Sequence, residues 1–426
     1  MLRQIEGSRA VADAVARCRP QVVAAYPISP QTHIVEGLSD LVRTGELAPC
    51  EYLMVESEFG ALSACIGASA AGARTYTATA SQGLLFMAEA LPNASGLGLP
   101  IVMTVANRAI GAPINIWNDH SDAMSQRDSG WVQLFAESNQ EAVDLHIQAY
   151  ALAERLSLPV MVCMDGFVLT HAVEEIDVPE QEQVDAFLPP FVPRQVLDPS
   201  EPITIGAMVG PEAFTEVKYL AGLQQLRALD EIAVLSTEFE RAVGRVSGGL
   251  VDRYRMEDAD IAVVALGSVL GSVKDVVDVL RNEGVRIGVV GVKCFRPWPL
   301  DEVRQALAGT ERIIVLNRAF SVGSGSILGQ DIRLTVAGSG STVYDVVAGL
   351  GGRPVTRASV RTLIDDVIAD KVDPDELHFL DLNEQLVEHE LQRQGTPADV
   401  SDRLLHNGSA RLPANADFRA TGWPQG

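Results

Sequence analysis

Apolar runs of strand length alternate with helical stretches along most of the chain. Between these runs, apolar residues recur every three or four positions, which is the spacing of an amphipathic helix. The predicted strands are 21–26, 75–81, 100–110, 159–165, 260–268, 286–293 and 312–318. Because strands that alternate with helices pair in parallel and are covered on both faces, the pattern predicts an α/β fold with parallel sheets.

The helix predicted at 58–72 is unusual because most of its residues are small. Glu56 and Glu58 stand at its head, and almost nothing larger than Leu or Ile follows them, so another backbone can approach closely. A carboxylate next to apolar Val55 and Phe59 would be poorly hydrated and suited to sharing a proton. The same residues also fit a packed core helix with a surface glutamate, which the helix dipole favours at that end.

The chain of 426 residues is too long for one hydrophobic core, so we predict more than one domain. The first domain is expected at 1–240 and includes a connecting arm at 166–202. A second α/β domain is expected at 241–372. Residues 373–426 are predicted to form one amphipathic helix over 377–394 and an extended tail that contacts another subunit or stays mobile.

Several chemically active side chains follow the predicted strands of the first domain. Ser29, Gln82, Arg108 and Asp165 each lie where a strand ends, and functional residues of parallel sheets gather at the carboxyl ends of the strands. Purely structural roles also fit the same residues. Ser29 could be the N-cap of the next helix, the turn at 81–84 could be a helix cap, and Arg108 could form an interdomain salt bridge.

Composition excludes several classes of protein. The net charge of −23 argues against a nucleic-acid or anionic-membrane partner, and no apolar run reaches the roughly 18 residues of a membrane span. The first residues show no signal-peptide pattern and are predicted as a short lead into a helix. The five cysteines are scattered, so we expect no disulfide, zinc site or iron–sulfur cluster in this chain, no metal ligands, and a cytoplasmic location.

Ordered sequence strings in both halves of the chain resemble one enzyme family. They are YPISPQT, ESEFGALSACIGASAAGAR, TATASQGL, MTVANRAI, NIWNDHSD, MDGFVLTH, VVALGS, GVKCFRPWP and VLNRA. Together they closely resemble the alpha subunit of 2-oxoacid:ferredoxin oxidoreductases of the pyruvate type, and the resemblance covers about residues 5–370. The resemblance implies a thiamine diphosphate-binding fold: a pyrimidine-binding domain, with helices on both faces of a parallel sheet, followed by a transketolase C-terminal-like α/β domain.

The resemblance also implies roles for individual residues. Glu58, and not Glu56, falls on the family's glutamate that hydrogen-bonds the aminopyrimidine ring of thiamine diphosphate. Arg108 falls on the arginine that holds the substrate carboxylate, and Ser29 falls where the family usually has a threonine near the substrate. The turn Ser81, Gln82 and Gly83 is expected to line the cofactor.

The family needs further subunits, which this chain alone cannot replace. A diphosphate-binding half carries a GDG motif that holds Mg²⁺, and MDGF at 164–167 is the nearest string here. The resemblance therefore implies a beta subunit that holds the diphosphate and Mg²⁺. It also implies ferredoxin-like delta and gamma subunits with [4Fe-4S] clusters, CoA as co-substrate, and ferredoxin or a flavin/NAD subunit as electron acceptor. The chain alone is expected to be inactive.

The substrate implied by the family is pyruvate, and the string SQGL at 81–84 favours the pyruvate branch over the 2-oxoglutarate branch. Ser29 lacks the methyl group of threonine, which predicts room for a bulkier acid such as phenylglyoxylate or a branched-chain 2-oxo acid. Two other classes of function stay open: a non-catalytic scaffold subunit of an electron-transfer complex, and a transketolase-type carboligase.

Overall fold

The structure is a computed structural model that describes residues 2–395. The first half contains β1 (Leu2–Glu6), α1 (Gly7–Arg17), β2 (Val22–Ala25), α2 (Thr32–Thr44), β3 (Glu51–Met54), α3 (Glu58–Ala70), β4 (Thr75–Thr79), α4 (Ser81–Phe86), α5 (Ala90–Gly96), β5 (Ile101–Asn107), α6 (Ser121–Ser125), β6 (Val132–Phe135), α7 (Asn139–Leu156), β7 (Val160–Asp165), β8 (Val173–Asp177) and α8 (Gln181–Phe187). The second half contains α9 (Phe214–Val243), β9 (Val251–Tyr254), β10 (Ile261–Ala265), α10 (Val269–Asn282), β11 (Ile287–Val292), β12 (Cys294–Arg296), α11 (Leu300–Ala306), β13 (Arg312–Asn317), β14 (Phe320–Ser321), β15 (Gly325–Ser326), α12 (Leu328–Thr335), β16 (Thr342–Val347), α13 (Arg357–Ile368), β17 (Leu377–Phe379) and α14 (Glu384–Arg393).

The first large sheet has the strand order β12-β6-β7-β5-β4-β2-β3. Its strands pair in parallel except for β12, which pairs antiparallel with β6 at one edge. Every residue of β4, β5 and β7 is buried, as expected for central strands of a parallel sheet with helices on both faces. The carboxyl ends of these strands therefore meet along one edge, which is where the candidate residues lie.

The second large sheet has the order β17-β16-β13-β10-β11-β9. Its pairs are parallel except for β9, which runs antiparallel to β11 at the edge. One buried apolar cluster contains Met103 and Phe135 from the first sheet together with Val264 and Val290 from the second. The two sheets thus share a core, and together they confirm the predicted α/β class with parallel sheets.

Two expectations about the chain's ends are wrong. The N-terminal residues are not merely a lead into α1, because β1 pairs antiparallel with β8, and β8 lies inside the predicted connecting arm. Residues 377–394 are not one helix, because β17 extends the second sheet beside β16 before α14 begins. Backbone pairing of β1 and β17 decides both cases, and pairing partners distant in sequence are invisible to local periodicity. The predicted extended tail at 396–426 lies outside the described residues.

Two absences hold for residues 2–395. None of the helices there is long and apolar enough to cross a membrane. All five cysteines fall within this range and all are free, and four of them are buried.

Candidate functional site

The carboxyl ends of β2, β4 and β5 bring most of the predicted residues to one place. Ser29 follows β2, Ser81 and Gln82 follow β4, and Arg108 follows β5. Hydrogen bonds join these segments directly, as described below. The sequence-based expectation that strand ends gather the chemistry agrees with this arrangement.

Glu58 is the first residue of α3, and it is a buried residue whose carboxylate has no protein partner in the described part of the chain. Ser57 caps the helix by accepting a hydrogen bond from the Gly60 N–H at 3.0 Å. Glu58 is 7% exposed, and within residues 2–395 its carboxylate takes part in no hydrogen bond or ion pair. The alternative of a surface glutamate is therefore wrong for Glu58, whereas Glu56 is exposed. A buried, unpaired carboxylate is costly unless a ligand satisfies it.

Gly83 leaves the space that the Glu58 side chain occupies. A Cβ atom at position 83 would lie 2.7 Å from Glu58 Oε1 and 2.6 Å from Thr79 Oγ1. Both distances are shorter than real Cβ contacts, so no residue with a side chain fits there without displacing its neighbours. The glycine of the turn thus sets the position of α4 against the carboxylate of Glu58.

Arg108 is buried, and its guanidinium contacts backbone carbonyls rather than carboxylates. Nη1 donates to the Ser29 carbonyl at 2.9 Å, and Nε donates to the Asn115 carbonyl at 3.2 Å. No ion pair involves Arg108 among residues 2–395, so the alternative of an interdomain salt bridge is wrong within that range. Burial lowers the pKa of Arg108. A guanidinium has five N–H donors, and those left over suit an external carboxylate.

Ser29 and the turn after β4 do not act as helix caps. The N-cap of α2 is Gln31, and no side-chain hydrogen bond caps that helix. Ser29 itself is exposed at the rim, where its carbonyl receives Arg108. Ser81 Oγ lies against the Ala109 carbonyl and Gln82 Oε1. The helix-cap alternatives are therefore wrong for both positions.

Asp122 connects these segments, and sequence reasoning did not single it out. Its Oδ2 accepts hydrogen bonds from the backbone N–H of Ser81 and of Arg108, both at 2.9 Å. Its Oδ1 accepts from Asn107 Nδ2 at 2.8 Å and from the Ala123 N–H at 2.7 Å. The side chain is fully buried, and burial raises its pKa to about 6 against four donors that lower it. One carboxylate thus fixes the ends of β4 and β5 relative to each other.

We expect Asp122→Asn to destabilise the fold. An amide keeps one acceptor oxygen, so one of the two donor pairs would face an N–H₂ group and lose its acceptor. Leaving buried donors unsatisfied should lower the free energy of unfolding by roughly 2–4 kcal/mol. Urea denaturation measures this change. Asp128→Asn, at an exposed position nearby, is the control and should be neutral.

The raised pKa of Asp122 also predicts a pH dependence. The folded protein keeps this proton up to about pH 6, whereas the unfolded chain releases it near its ordinary value of 3.8. The stabilisation of the folded protein by this proton is therefore fully present below about pH 4 and is lost as the pH rises through 6. It amounts to about 3 kcal/mol of unfolding free energy. The difference in stability between the native protein and Asp122→Asn should shrink or change sign across this range. A stability difference between the two proteins that stays constant from pH 4 to 7 would contradict the raised pKa of Asp122.

The loop after β16 of the second sheet, at Gly351 and Gly352, holds the loop at 115–119, which supports Arg108. Asn115 Nδ2 donates to the Gly351 carbonyl at 3.1 Å, and the Gly352 N–H donates to the Asn118 carbonyl at 2.7 Å. The Gly351 N–H donates to Asp119 Oδ2 at 3.1 Å. Since Asn115 also receives Arg108 Nε, the position of the guanidinium depends on residues far away in sequence.

Asp165, the fourth predicted residue, forms a different contact between the two sheets. It pairs with His120 Nε2 at 2.7 Å and with Arg318 Nη1 at 2.6 Å, and it accepts from the Ser268 N–H at 2.9 Å. Burial alone would raise the pKa of Asp165, but the charges of Arg318 and His120 hold it well below its usual range. All of its polar contacts are internal, so the geometry gives Asp165 a structural role at the junction.

Two family profiles match the chain, one in each half. The profile described as "Pyruvate flavodoxin/ferredoxin oxidoreductase, thiamine diP-bdg" matches residues 13–233, and "Pyruvate:ferredoxin oxidoreductase core domain II" matches residues 259–360. The first of these covers Ser29, Glu58 and Arg108.

Curated relatives match the chain over nearly their whole length. Pyruvate synthase subunit PorA from Methanosarcina barkeri is 47% identical over 90% of this chain and 97% of the relative. Ketoisovalerate oxidoreductase subunit VorA from Pyrococcus horikoshii is 40% identical over 85% of this chain and 93% of the relative.

Two solved structures share the fold at low sequence identity. One is a 2-oxoglutarate:ferredoxin oxidoreductase from Magnetococcus marinus with 2-oxoglutarate, coenzyme A and succinyl-CoA bound. It has a TM-score of 0.67 and 18% identity, and the match covers 86% of this chain and 65% of that one. The other is a split gene transketolase, with a TM-score of 0.51 and 13% identity, covering 87% and 100%. These likenesses agree with the fold predicted from the sequence strings.

The residues present fit the thiamine diphosphate named by the first profile. Glu58 offers a buried carboxylate that no donor of the described chain satisfies, as a ring nitrogen of the cofactor would require. Gly83 lets the turn after β4, which the resemblance places beside the cofactor, approach that carboxylate closely. Observations on this chain and the matched profile therefore point to the same group.

Proposed function

Because the chain belongs to the pyruvate flavodoxin/ferredoxin oxidoreductase family, we propose that it is the alpha subunit of a multisubunit 2-oxoacid oxidoreductase. The reaction converts a 2-oxo acid and CoA to acyl-CoA and CO₂. It releases two electrons and one proton, so that R–CO–COO⁻ and CoA–SH give R–CO–S–CoA, CO₂, 2 e⁻ and H⁺. The single observation that carries the assignment to this site is Glu58 in the matched domain, a buried residue whose carboxylate has no hydrogen-bond or ion-pair partner among residues 2–395.

Three side chains of this chain have roles in that reaction. Glu58 hydrogen-bonds the aminopyrimidine ring and shares a proton with it, which its burial without a competing donor supports. Arg108 holds the carboxylate of the 2-oxo acid with its unused N–H groups. Its Nε and Nη1 already donate to two backbone carbonyls, which fix the orientation of the guanidinium. Ser29 lies at the exposed rim and contacts the substrate.

The cofactor supplies the chemistry that no side chain can perform. Thiamine diphosphate, when bound, provides the carbon nucleophile and the electron sink for loss of CO₂. The turn of Ser81, Gln82 and Gly83 lines it, and Asp122 fixes that turn relative to Arg108. The other duties of the protein are to keep the substrate carboxylate aligned and to exclude water.

Other subunits complete the enzyme. A beta subunit holds the diphosphate and Mg²⁺, because the chain has no GDG string. Ferredoxin-like delta and gamma subunits carry [4Fe-4S] clusters, because the cysteines of this chain are dispersed and mostly buried. Ferredoxin, or NAD through a flavin subunit, takes the electrons. The division into 1–240, 241–372 and 373–426, and the cytoplasmic location, stay predictions.

The loop that supports Arg108 offers a test of its role. Gly352 has φ of +79°, and a Cβ there would lie 2.4 Å from Trp117 Cβ. We expect Gly352→Ala to displace the loop at Asn115 and so raise KM for the 2-oxo acid by about 10-fold. Gly338→Ala is a matched control, because Gly338 has φ of +83° but no atom within 4 Å of its Cβ position. Equal KM values for the two variants would argue against the coupling.

Ser29 determines the size of substrate that fits. Relatives at 47% and 40% identity are named for pyruvate and for ketoisovalerate, so the substrate class is a monocarboxylic 2-oxo acid with a small apolar side chain. Adding the methyl group in Ser29→Thr should lower kcat/KM for branched-chain acids relative to pyruvate by roughly 10-fold. An unchanged ratio would remove Ser29 from the list of specificity residues.

The substrate panel is the experiment that tests the proposed function. The complex purified through this chain is given thiamine diphosphate, Mg²⁺, CoA and a viologen dye, with pyruvate, 3-methyl-2-oxobutanoate or phenylglyoxylate. We expect two dye molecules reduced and one acyl-CoA formed for each CO₂. Carboligation without dye reduction would indicate a transketolase-type enzyme. Clear preference for pyruvate would overturn the idea that Ser29 admits bulkier acids.

A further inference from the structure

Three potential metal ligands from distant parts of the chain lie close together. Glu6 ends β1, His33 lies in the first turn of α2, and His171 lies just before β8. One ligand atom from each residue lies within 4.8 Å of the other two. His33 Nδ1 is 2.6 Å from Glu6 Oε1, and the two imidazole ring centroids are 4.9 Å apart. None of these residues belongs to the candidate site described above.

The backbone holds these ligands on rigid elements. The Gly7 N–H donates to the Ala172 carbonyl, and the Ser8 N–H donates to the Thr170 carbonyl, both at 3.0 Å. The ends of β1 and β8 are therefore locked beside each other, next to Glu6 and His171. Glu6 lies on a paired strand, His33 lies on a helix, and His171 lies in a turn between two residues whose carbonyls accept these backbone hydrogen bonds. Ligands held in this way lose little freedom on binding, which favours a metal site.

Neighbouring groups fix the ring of His171. Its Nδ1 is 2.7 Å from Thr170 Oγ1, which also accepts from the Phe167 N–H at 2.8 Å. The Phe167 ring lies 4.8 Å from the imidazole, measured between centroids. A partner on one ring nitrogen orients a histidine and leaves the other nitrogen for a metal, which is the usual arrangement around bound zinc.

We propose that Glu6, His33 and His171 form a zinc-type metal site that ties the β1–β8 ribbon to α2. Two imidazole nitrogens and one carboxylate oxygen are a mixed set that suits Zn²⁺ or Co²⁺ rather than Mg²⁺ or Ca²⁺, which prefer oxygen alone. Glu6 and His33 side chains are 24% and 41% exposed, so an ion can enter from water. Three protein ligands leave a fourth position for water.

Zinc binding to the full-length chain tests the site. The chain is treated with a chelator, desalted and titrated with zinc sulfate alone in a calorimeter. We expect one tight zinc equivalent per chain, weakened about 100-fold or more in His33→Gln and in His171→Gln. His389→Gln is the control, because His389 is exposed on α14, and its isotherm should match that of the native chain. Zinc should raise the thermal midpoint of the native chain but not of His171→Gln.

A second measurement does not depend on any variant folding. Cobalt bound by nitrogen ligands in a four-coordinate site gives a strong visible absorption band, whereas cobalt on exposed carboxylates does not. We expect this band in the native chain at one equivalent of cobalt, and its loss when zinc is added. Only weak binding at many equivalents, as the 56 acidic residues would give, or equal zinc isotherms for the native chain and His171→Gln, would overturn the proposal.

Discussion

Replacing Glu58 with glutamine should reduce 2-oxo acid-dependent dye reduction by the complex about 10²–10⁴-fold, the range typical of losing an acid–base group. Glutamine has nearly the same shape, but it cannot share a proton with the aminopyrimidine ring. Because Glu58 has no protein partner within residues 2–395, the thermal midpoint of the chain should not fall. Steady-state rates and thermal unfolding of the same preparation measure both effects.

Glu56→Gln is the matched control for that experiment. Glu56 lies two residues earlier at an exposed position, so it carries the same charge near the same helix end. Its replacement should leave turnover nearly unchanged. Equal losses of turnover in both variants would mean that the helix end needs negative charge in general. A Glu58→Gln complex with full turnover would favour the non-catalytic scaffold function.

Replacing Arg108 with alanine should lower kcat/KM for the 2-oxo acid by roughly 10²–10³-fold. Removing one partner of a buried charged pair costs about 2–5 kcal/mol, and the substrate carboxylate would lose its charged donors. Arg108→Lys keeps the charge but not the planar fork, so we expect about a 10-fold loss. The effect should appear largely in KM, because the carboxylate is held from binding until it leaves as CO₂.

The control for the arginine is Arg43→Ala on α2. Arg43 has a side chain that is 73% exposed and pairs with Asp40, so its loss should not alter KM. A substrate that lacks a carboxylate offers a further check. Inhibition by such an analogue should be the same for the native complex and the Arg108→Ala complex. A much weaker inhibition of the variant would show that Arg108 acts on the shape of the site instead.

The fold was largely predictable because its strands are local, buried and regularly spaced. The runs at 75–81, 100–110 and 159–165 contain β4, β5 and β7, which lie at the centre of the first sheet. The other strands were missed, among them β3, β6 and β16 of the two large sheets. Strands β1 and β17 are short and acquire their structure only by pairing with a distant segment. Local periodicity contains no information about such partners.

The candidate site was predictable only in part, for a related reason. The positions of Glu58 and Arg108 follow from sequence strings, and both residues are buried. Glu58 has no protein partner among residues 2–395, whereas the Arg108 guanidinium donates to two backbone carbonyls. Asp122 was not found, since one aspartate in a long polar loop has no distinguishing spacing, and its four donors come from three separate segments. The support of Arg108 through Asn115 and Gly351 was hidden in the same way.

The most direct test of an active site shared between this chain and a beta subunit compares the purified complex with the isolated full-length chain. Viologen dye reduction is followed with a 2-oxo acid, CoA and Mg²⁺, with and without thiamine diphosphate. The account predicts thiamine-dependent reduction by the complex and none by the isolated chain. A complex that contains thiamine and iron yet reduces no dye with any 2-oxo acid, or an isolated chain that is active alone, would contradict it.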